Sequence, residues 1–163
     1  MNVIEKVELD SSLTIEQLKK GSVFGALSDD AINYLLENGV LYQASQHDVI
    51  FRHGEKGDNF FIILKGKVNY FKQHNNQTAF TREIGFGEAM GFVSMIALHD
   101  RVGKGVAIED GILLEVNSQL FSDFHDHHSF DFGILLLNLS REMARTIRSL
   151  GNTIVKKENT RAL

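Results

Sequence analysis

The 163-residue sequence contains no cysteine. That absence excludes disulfides, thiol catalysis, thiolate zinc and iron–sulfur clusters, and it fits a reducing, cytoplasmic compartment. Proline is absent as well, while glycine numbers 14. Turns must therefore be built from Gly, Asn and Asp, which tolerate positive φ. Long apolar runs are missing: stretches such as Ile134 to Leu137 are far too short to span a bilayer. The start, Met1 to Lys6, lacks the apolar segment of a signal peptide. Nor is there an excess of positive charge. A chain that neutralises many phosphates is usually basic, and this one carries a net charge of −4, so nucleic acid is a poor partner.

What is present reads as one globular domain, with 43% hydrophobic and 23% charged residues. Residues 1–13 are expected to form a loose arm and 14–38 short helices. Ser28 is a candidate N-cap, followed by Asp29 and Asp30 in the first turn, with Asn38-Gly39 closing the helix. From Val40 the period changes to that of strands. Val40–Tyr42, Val49–Phe51, Phe60–Leu64, Val68–Phe71, Thr78–Ile84, Gly105–Glu109 and Ile112–Val116 read as strands within 40–117. The segment across Lys65-Gly66 reads as a turn between partners, His74 to Gln77 as a hairpin turn, and Asp110-Gly111 as a hairpin signal. Short strands at regular spacing with glycine turns predict a mainly β barrel or jelly roll with flanking helices. Residues 118–158 return to helical spacing.

The last helix carries Leu136, Leu139, Met143, Ile147, Leu150 and Ile154 at steps of three and four, close to heptad spacing. A small barrel cannot cover so long a stripe, so a second copy of the helix is the expected partner and the protein a homodimer. Arg141, Arg145, Arg148, Lys156, Lys157 and Arg161 on the same helix read as its solvated flank. His125-Asp126-His127-His128 cannot all face one ion on a helix and reads as an exposed polar corner rather than a metal site. No nucleophile elbow, P-loop or supported carboxylate pair is present, so no enzyme activity is expected.

The strings Gly54…Gly57-Asp58…Phe61-Ile62-Ile63-Leu64…Gly66-Lys67-Val68, then Arg101, Ala107 and Asp110, then Leu139-Ser140…Met143-Ala144-Arg145 resemble the effector domain of the Crp/Fnr group and of cyclic-nucleotide-binding domains generally. The resemblance covers Phe24 to Ile154. It implies a jelly roll followed by helices, the last pairing across a two-fold axis, in a bacterial regulatory protein. The helix-turn-helix domain that usually follows has no room before Leu163, so the resemblance leads to an expectation of no direct DNA binding and of output through another signalling protein.

In the family, a Gly-Glu pair binds the ribose and an Arg about ten residues later binds the cyclic phosphate, the charge of which suits a guanidinium and inward N–H groups. Two registers place this cassette here. The first puts Gly87 at the turn, Gly91-Phe92 at the Gly-Glu position and Arg101 at the anchor, with Val102-Gly103-Lys104 replacing the small residues after it. The second uses Gly87-Glu88 as the pair and must loop out residues before Arg101. The first keeps the pattern without gaps and is preferred. It leaves Phe92 where an acceptor is needed, and Leu150-Gly151 where the catabolite activator reads adenine with hydroxyls. The expectation is thus a sensor or adaptor with a degenerate cassette that does not bind cyclic AMP in the usual way. Its ligand, if it has one, would be a cyclic nucleotide or another small anionic effector. The alternatives are a working cyclic AMP or cyclic GMP receptor using Glu88 and Arg101, and a ligand-free interaction module whose pocket Phe92 fills.

Overall fold

Strand β4 (Asn59–Lys65) sets the architecture, because both of its faces are buried. Phe60, Ile62 and Leu64 point into a core shared with the helices, while Phe61 and Ile63 point into a second core between the two sheets. Alternation along an extended strand sends successive side chains to opposite faces, which is why this segment is apolar throughout. The chain is described here by a computed structural model that covers residues 1–6 and 13–161, with side chains through Lys156.

Around β4 the described residues form nine strands and five helices. The first sheet has the order β1 (Asn2–Ile4), β2 (Val40–Ala44), β9 (Gly111–Asn117), β4 and β7 (Ala89–Met90). The second has the order β3 (Val49–Phe51), β8 (Gly103–Ala107), β5 (Val68–His74) and β6 (Gln77–Ile84). All pairings are antiparallel. With helices at one side, this is the expected jelly roll.

Three local expectations change. Lys65-Gly66 does not join paired strands, since β4 and β5 lie in different sheets, and the same holds for β8 and β9 across Asp110-Gly111. The two connections instead cross at one edge. Gly66, at φ +84, packs against the backbone of Asp110 and Gly111, leaving no room for a side chain. Turn residues report where a chain reverses, but not which strand it then joins. The β5–β6 hairpin does form, with Asn75 and Asn76 at φ 47 and 61. The N-terminal arm is not wholly loose: Asn2, Val3 and Ile4 pair with Gln43, Tyr42 and Leu41, covering the edge of β2. Residues 7–12 of that arm lie outside the described residues. Finally, β8 spans Gly103–Ala107 rather than 105–109.

Helices α1 (Ile15–Leu18) and α2 (Asp29–Asn38) begin at polar caps, the Thr14 hydroxyl accepting from Gln17 N–H and the Ser28 hydroxyl from Ala31 N–H. Asp131 then accepts from both the backbone and the hydroxyl of Ser28, tying α2 to the long helix. A short α3 (Phe92–Ile96) follows β7, and α4 (Ser118–His127) leads into α5 (Ser129–Arg161). Helix α5 has 33 residues, roughly 50 Å at 1.5 Å per residue. Its first half lies on the domain with Leu135 and Leu139 in the core; the second half leaves Ile147, Leu150, Ile154 and Val155 exposed.

Candidate functional site

Arg101 occupies the loop between α3 and β8, and only 2% of it is exposed. The loop is pinned on both sides of its Cα: Arg101 N–H donates to Glu55 O at 2.8 Å, and Gly54 N–H donates to Arg101 O at 2.8 Å. The side chain is thereby aimed into the barrel. Nη1 donates to Gly91 O at 2.7 Å, and Nη2 donates to Asn59 O at 2.7 Å and to Asn59 Oδ1. The guanidinium lies over the Phe51 ring, 4.4 Å from its centroid. Phe51 in turn neighbours Phe61 and Tyr70, so an aromatic wall backs the charge.

The remaining donor, Nε–H, is buried without a partner. Among the described residues no carboxylate forms an ion pair with this guanidinium. Burial lowers its pKa from the ordinary value, opposed by the fields of Asp58, Glu55, Tyr70 and Glu115. A buried cation normally has a paired anion, because desolvation is otherwise uncompensated. Here the neutral amide of Asn59 stands between, with its Nδ2 donating to Glu115 at 2.6 Å.

Gly91 lies at φ +88, and a Cβ there would strike the Arg101 guanidinium. Gly91 and Arg101 are thus brought together. Phe92 is not part of that meeting. It is 4% exposed and packs in the helix-side core, away from the core between the sheets, so it neither fills the barrel nor occupies a sugar position beside Arg101. The filler expected of Phe92 is supplied by Phe51, Phe61 and Tyr70.

Gly87 forms the turn before β7 at φ +73 and abuts Gly21 so closely that neither can carry a Cβ. Glu88 is used in that turn. Its Oε2 accepts from Gly85 N–H at 2.7 Å and its Oε1 from Arg82 Nη1 at 3.1 Å. The second register needs Glu88 turned inward as an acceptor, and both of its oxygens are engaged here by Gly85 and Arg82. Val102 O accepts from Gln73 N–H at 3.1 Å, and Gly103 pairs with Lys72, so this backbone is engaged in the β5–β8 ladder. Lys104 is exposed over Phe71 and points away from Arg101, since Tyr70 and Phe71 face opposite sides of β5.

The stripe on α5 divides. Leu139 is fully buried in the domain's own core, where it is not free to join the expected seam, and Met143 packs partly against that core. Leu136 is half-buried. Ile147, Leu150 and Ile154 remain exposed by 69%, 41% and 63%. The sequence stripe is one continuous face, but the domain ends beneath it part-way along. At the α4–α5 corner, His127 and His128 pack against Tyr34, and His125 against Phe132. No group of three or more possible ligands gathers for a metal among the described residues, and no helix there is long and apolar enough to cross a membrane.

Sequence reading missed Asn59 and Phe51, which hold Arg101, and Ser22, Asn138 and Glu142, which hold α5. Asn59 had one signal, as the polar residue opening an otherwise apolar strand. Asn138 and Glu142 had another: they are four apart on the face that carries Leu135 and Leu139.

The family model for the cyclic nucleotide-binding domain matches residues 42–128. Among curated relatives, lysophospholipase NTE1 of Mycosarcoma maydis is 27% identical over 107 residues, covering 66% of this chain but 6% of that enzyme. Among solved structures, a cyclic nucleotide-binding domain from Methylobacillus flagellatus superposes with a TM-score of 0.75 at 23% identity, covering 89% of this chain and 83% of the other. The catabolite activator protein of Thermus thermophilus gives 0.70 at 22% identity, covering 85% and 63%.

Proposed function

The chain belongs to the cyclic nucleotide-binding domain family, and from that premise we propose that it is a non-enzymatic regulatory domain whose barrel binds a small anion at Arg101. One observation carries this reading: a buried guanidinium with an unpartnered Nε–H and no ion-paired carboxylate among the described residues. An anion reaching Arg101 would satisfy that donor and the charge together. A usual cyclic AMP site would also need an acceptor for the ribose. Glu88 is engaged with Gly85 and Arg82, and Phe92 has none to offer. The residues thus fit a phosphate or similar anion better than a whole nucleotide.

The reading extends to assembly. Ile147, Leu150 and Ile154 continue the core-facing stripe past the domain, and a second α5 would cover them, giving a homodimer that passes its state to a partner protein. Ligand binding would act by favouring one of two arrangements of the loop around Arg101 and the helices attached to it.

A second reading is favoured by the packing around Arg101. Asn59, Gly91 and the Phe51 ring already enclose the guanidinium, as an interaction module with no ligand would require. Calorimetric titration with cyclic AMP, cyclic GMP and inorganic phosphate, with Arg101→Lys as control, separates the two. Anion binding that is lost in the variant supports the sensor. No heat from any of them supports the module.

A further inference from the structure

Glu142 is the only buried carboxylate among the described residues, 1% exposed on the inner face of α5. Its partners come from two distant segments. Oε2 accepts from Ala89 N–H at 3.0 Å, at the start of β7. Oε1 meets the Ser22 hydroxyl, in the segment between α1 and α2. That same hydroxyl lies 3.1 Å from Gly87 O. One turn earlier on α5, Asn138 donates to Val23 O and Gly25 O, so the helix grips the 22–25 segment at two points.

The decisive feature is a proton count. Ser22 has one hydroxyl proton and faces two groups, Gly87 O and Glu142 Oε1. A carbonyl oxygen only accepts, and so does an ionised carboxylate. With Glu142 ionised, Ser22 can donate to only one of them, and the charged group takes the proton. With Glu142 protonated, every atom is served. Oε1–H donates to Ser22 Oγ, Ser22 O–H donates to Gly87 O, and Oε2 still accepts from Ala89 N–H. Gly87 O also accepts from Val23 N–H at 2.9 Å, so it is never left bare.

We propose that Glu142 is a proton-operated latch between the long helix and the turn that leads into Gly91. Uncharged, it completes a chain of hydrogen bonds from α5 through Ser22 to Gly87. Ionised, it draws the Ser22 hydroxyl to itself and releases Gly87 from that chain. Only the carboxyl O–H bond breaks on ionisation: its electron pair stays on the carboxylate and its proton passes to solvent. The latch requires no ligand at Arg101.

The surrounding charges agree with this role. Burial raises the pKa of Glu142 from its ordinary value, with Ser22 and Ala89 opposing. Glu88, from the turn before β7, adds to the rise, while Arg82 of β6 counters it. Those two pair with each other at 3.1 Å. On its own helix, Arg145 lies 3.9 Å away but is 57% exposed and screened.

The test follows backbone amides of the full chain by nitrogen-15 NMR across pH. In the wild type, the Ala89 and Val23 amides should shift together, with a midpoint above the ordinary glutamate range, and Glu88→Gln should retain that transition. Glu142→Gln, whose amide can donate to Ser22 and accept from Ala89, should hold both at their low-pH positions. Should that variant fail to fold, Ser22→Ala decides. Its Ala89 amide should still titrate while that of Val23, bonded to Gly87, should not. The latch is overturned if wild-type Ala89 does not titrate, if Glu142→Gln titrates unchanged, or if Val23 still follows pH in Ser22→Ala.

Discussion

Arg101 Nη1 donates to the carbonyl of Gly91, ten residues before it, at 2.7 Å. The ten-residue spacing thus closes a loop whose ends are joined by a side chain. The bond holds Gly91 in its left-handed conformation at the start of α3 and fixes the guanidinium in the barrel at the same time.

Removing that fork should weaken the fold as well as any binding. Arg101→Ala would remove the hydrogen bonds to Gly91 O, Asn59 O and Asn59 Oδ1, each worth about 1.5–3 kcal/mol for a bond to a charged group. The expected result is a clear drop in the denaturant midpoint. Arg101→Lys should not fully restore it, because a single ammonium cannot reproduce the fork. An unchanged midpoint for Arg101→Ala would contradict the proposed hold on the loop.

Glu142 gives stability a definite pH dependence. Its pKa is raised in the folded state, chiefly by burial, so the folded chain binds the proton more tightly than the unfolded one. Its contribution is therefore fully present below the ordinary glutamate value and is lost as pH rises to the higher folded value. The loss is about 1.4 kcal/mol for each unit between them. Glu142→Gln has no such loss. Denaturant midpoints of the two proteins should differ increasingly in favour of the variant as pH rises through that window. A difference constant with pH would refute the assignment.

The two halves of the α5 stripe should answer differently to a charge. Ile147→Asp or Ile154→Asp changes an exposed position, so the domain should remain folded while the proposed dimer dissociates. Leu139→Asp places a charge inside the domain's own core and should unfold it, at several kcal/mol. Sedimentation with circular dichroism distinguishes these outcomes. Dimers that persist in both Ile variants would remove the seam.

Phe92 should matter for stability alone. Phe92→Ala empties a place in the helix-side core and is expected to cost about 3–5 kcal/mol. It should not create cyclic AMP binding, since the ring does not block Arg101. Nucleotide binding gained by this variant in calorimetry would show that Phe92 does close the pocket.

These cases also show what could be read before the fold was known. Strand β4 was legible because five adjacent apolar residues need two buried faces. Ser28 was legible because capping is a local matter. The pairing across Gly66 and Gly111 was not, since a jelly roll sends the chain to the other sheet at both turns, and no local residue encodes that choice. Arg101 could be singled out through the family resemblance, which implies an arginine about ten residues after the position held by Gly91. Its holders could not, because Asn59 lies 42 residues away and Phe51 reads as ordinary core. Leu139 and Ile147 looked alike for a different reason: both obey the same helical period, and only the edge of the barrel separates covered from uncovered.

The measurement that bears most directly on the central claim is NMR of the Arg101 Nε–H, titrated with inorganic phosphate, cyclic AMP and neutral adenosine. The account predicts that phosphate shifts this resonance, that cyclic AMP does so no more tightly than phosphate, and that adenosine leaves it unchanged. A resonance unmoved by either anion, or micromolar binding of cyclic AMP that disappears in Glu88→Gln, would contradict it.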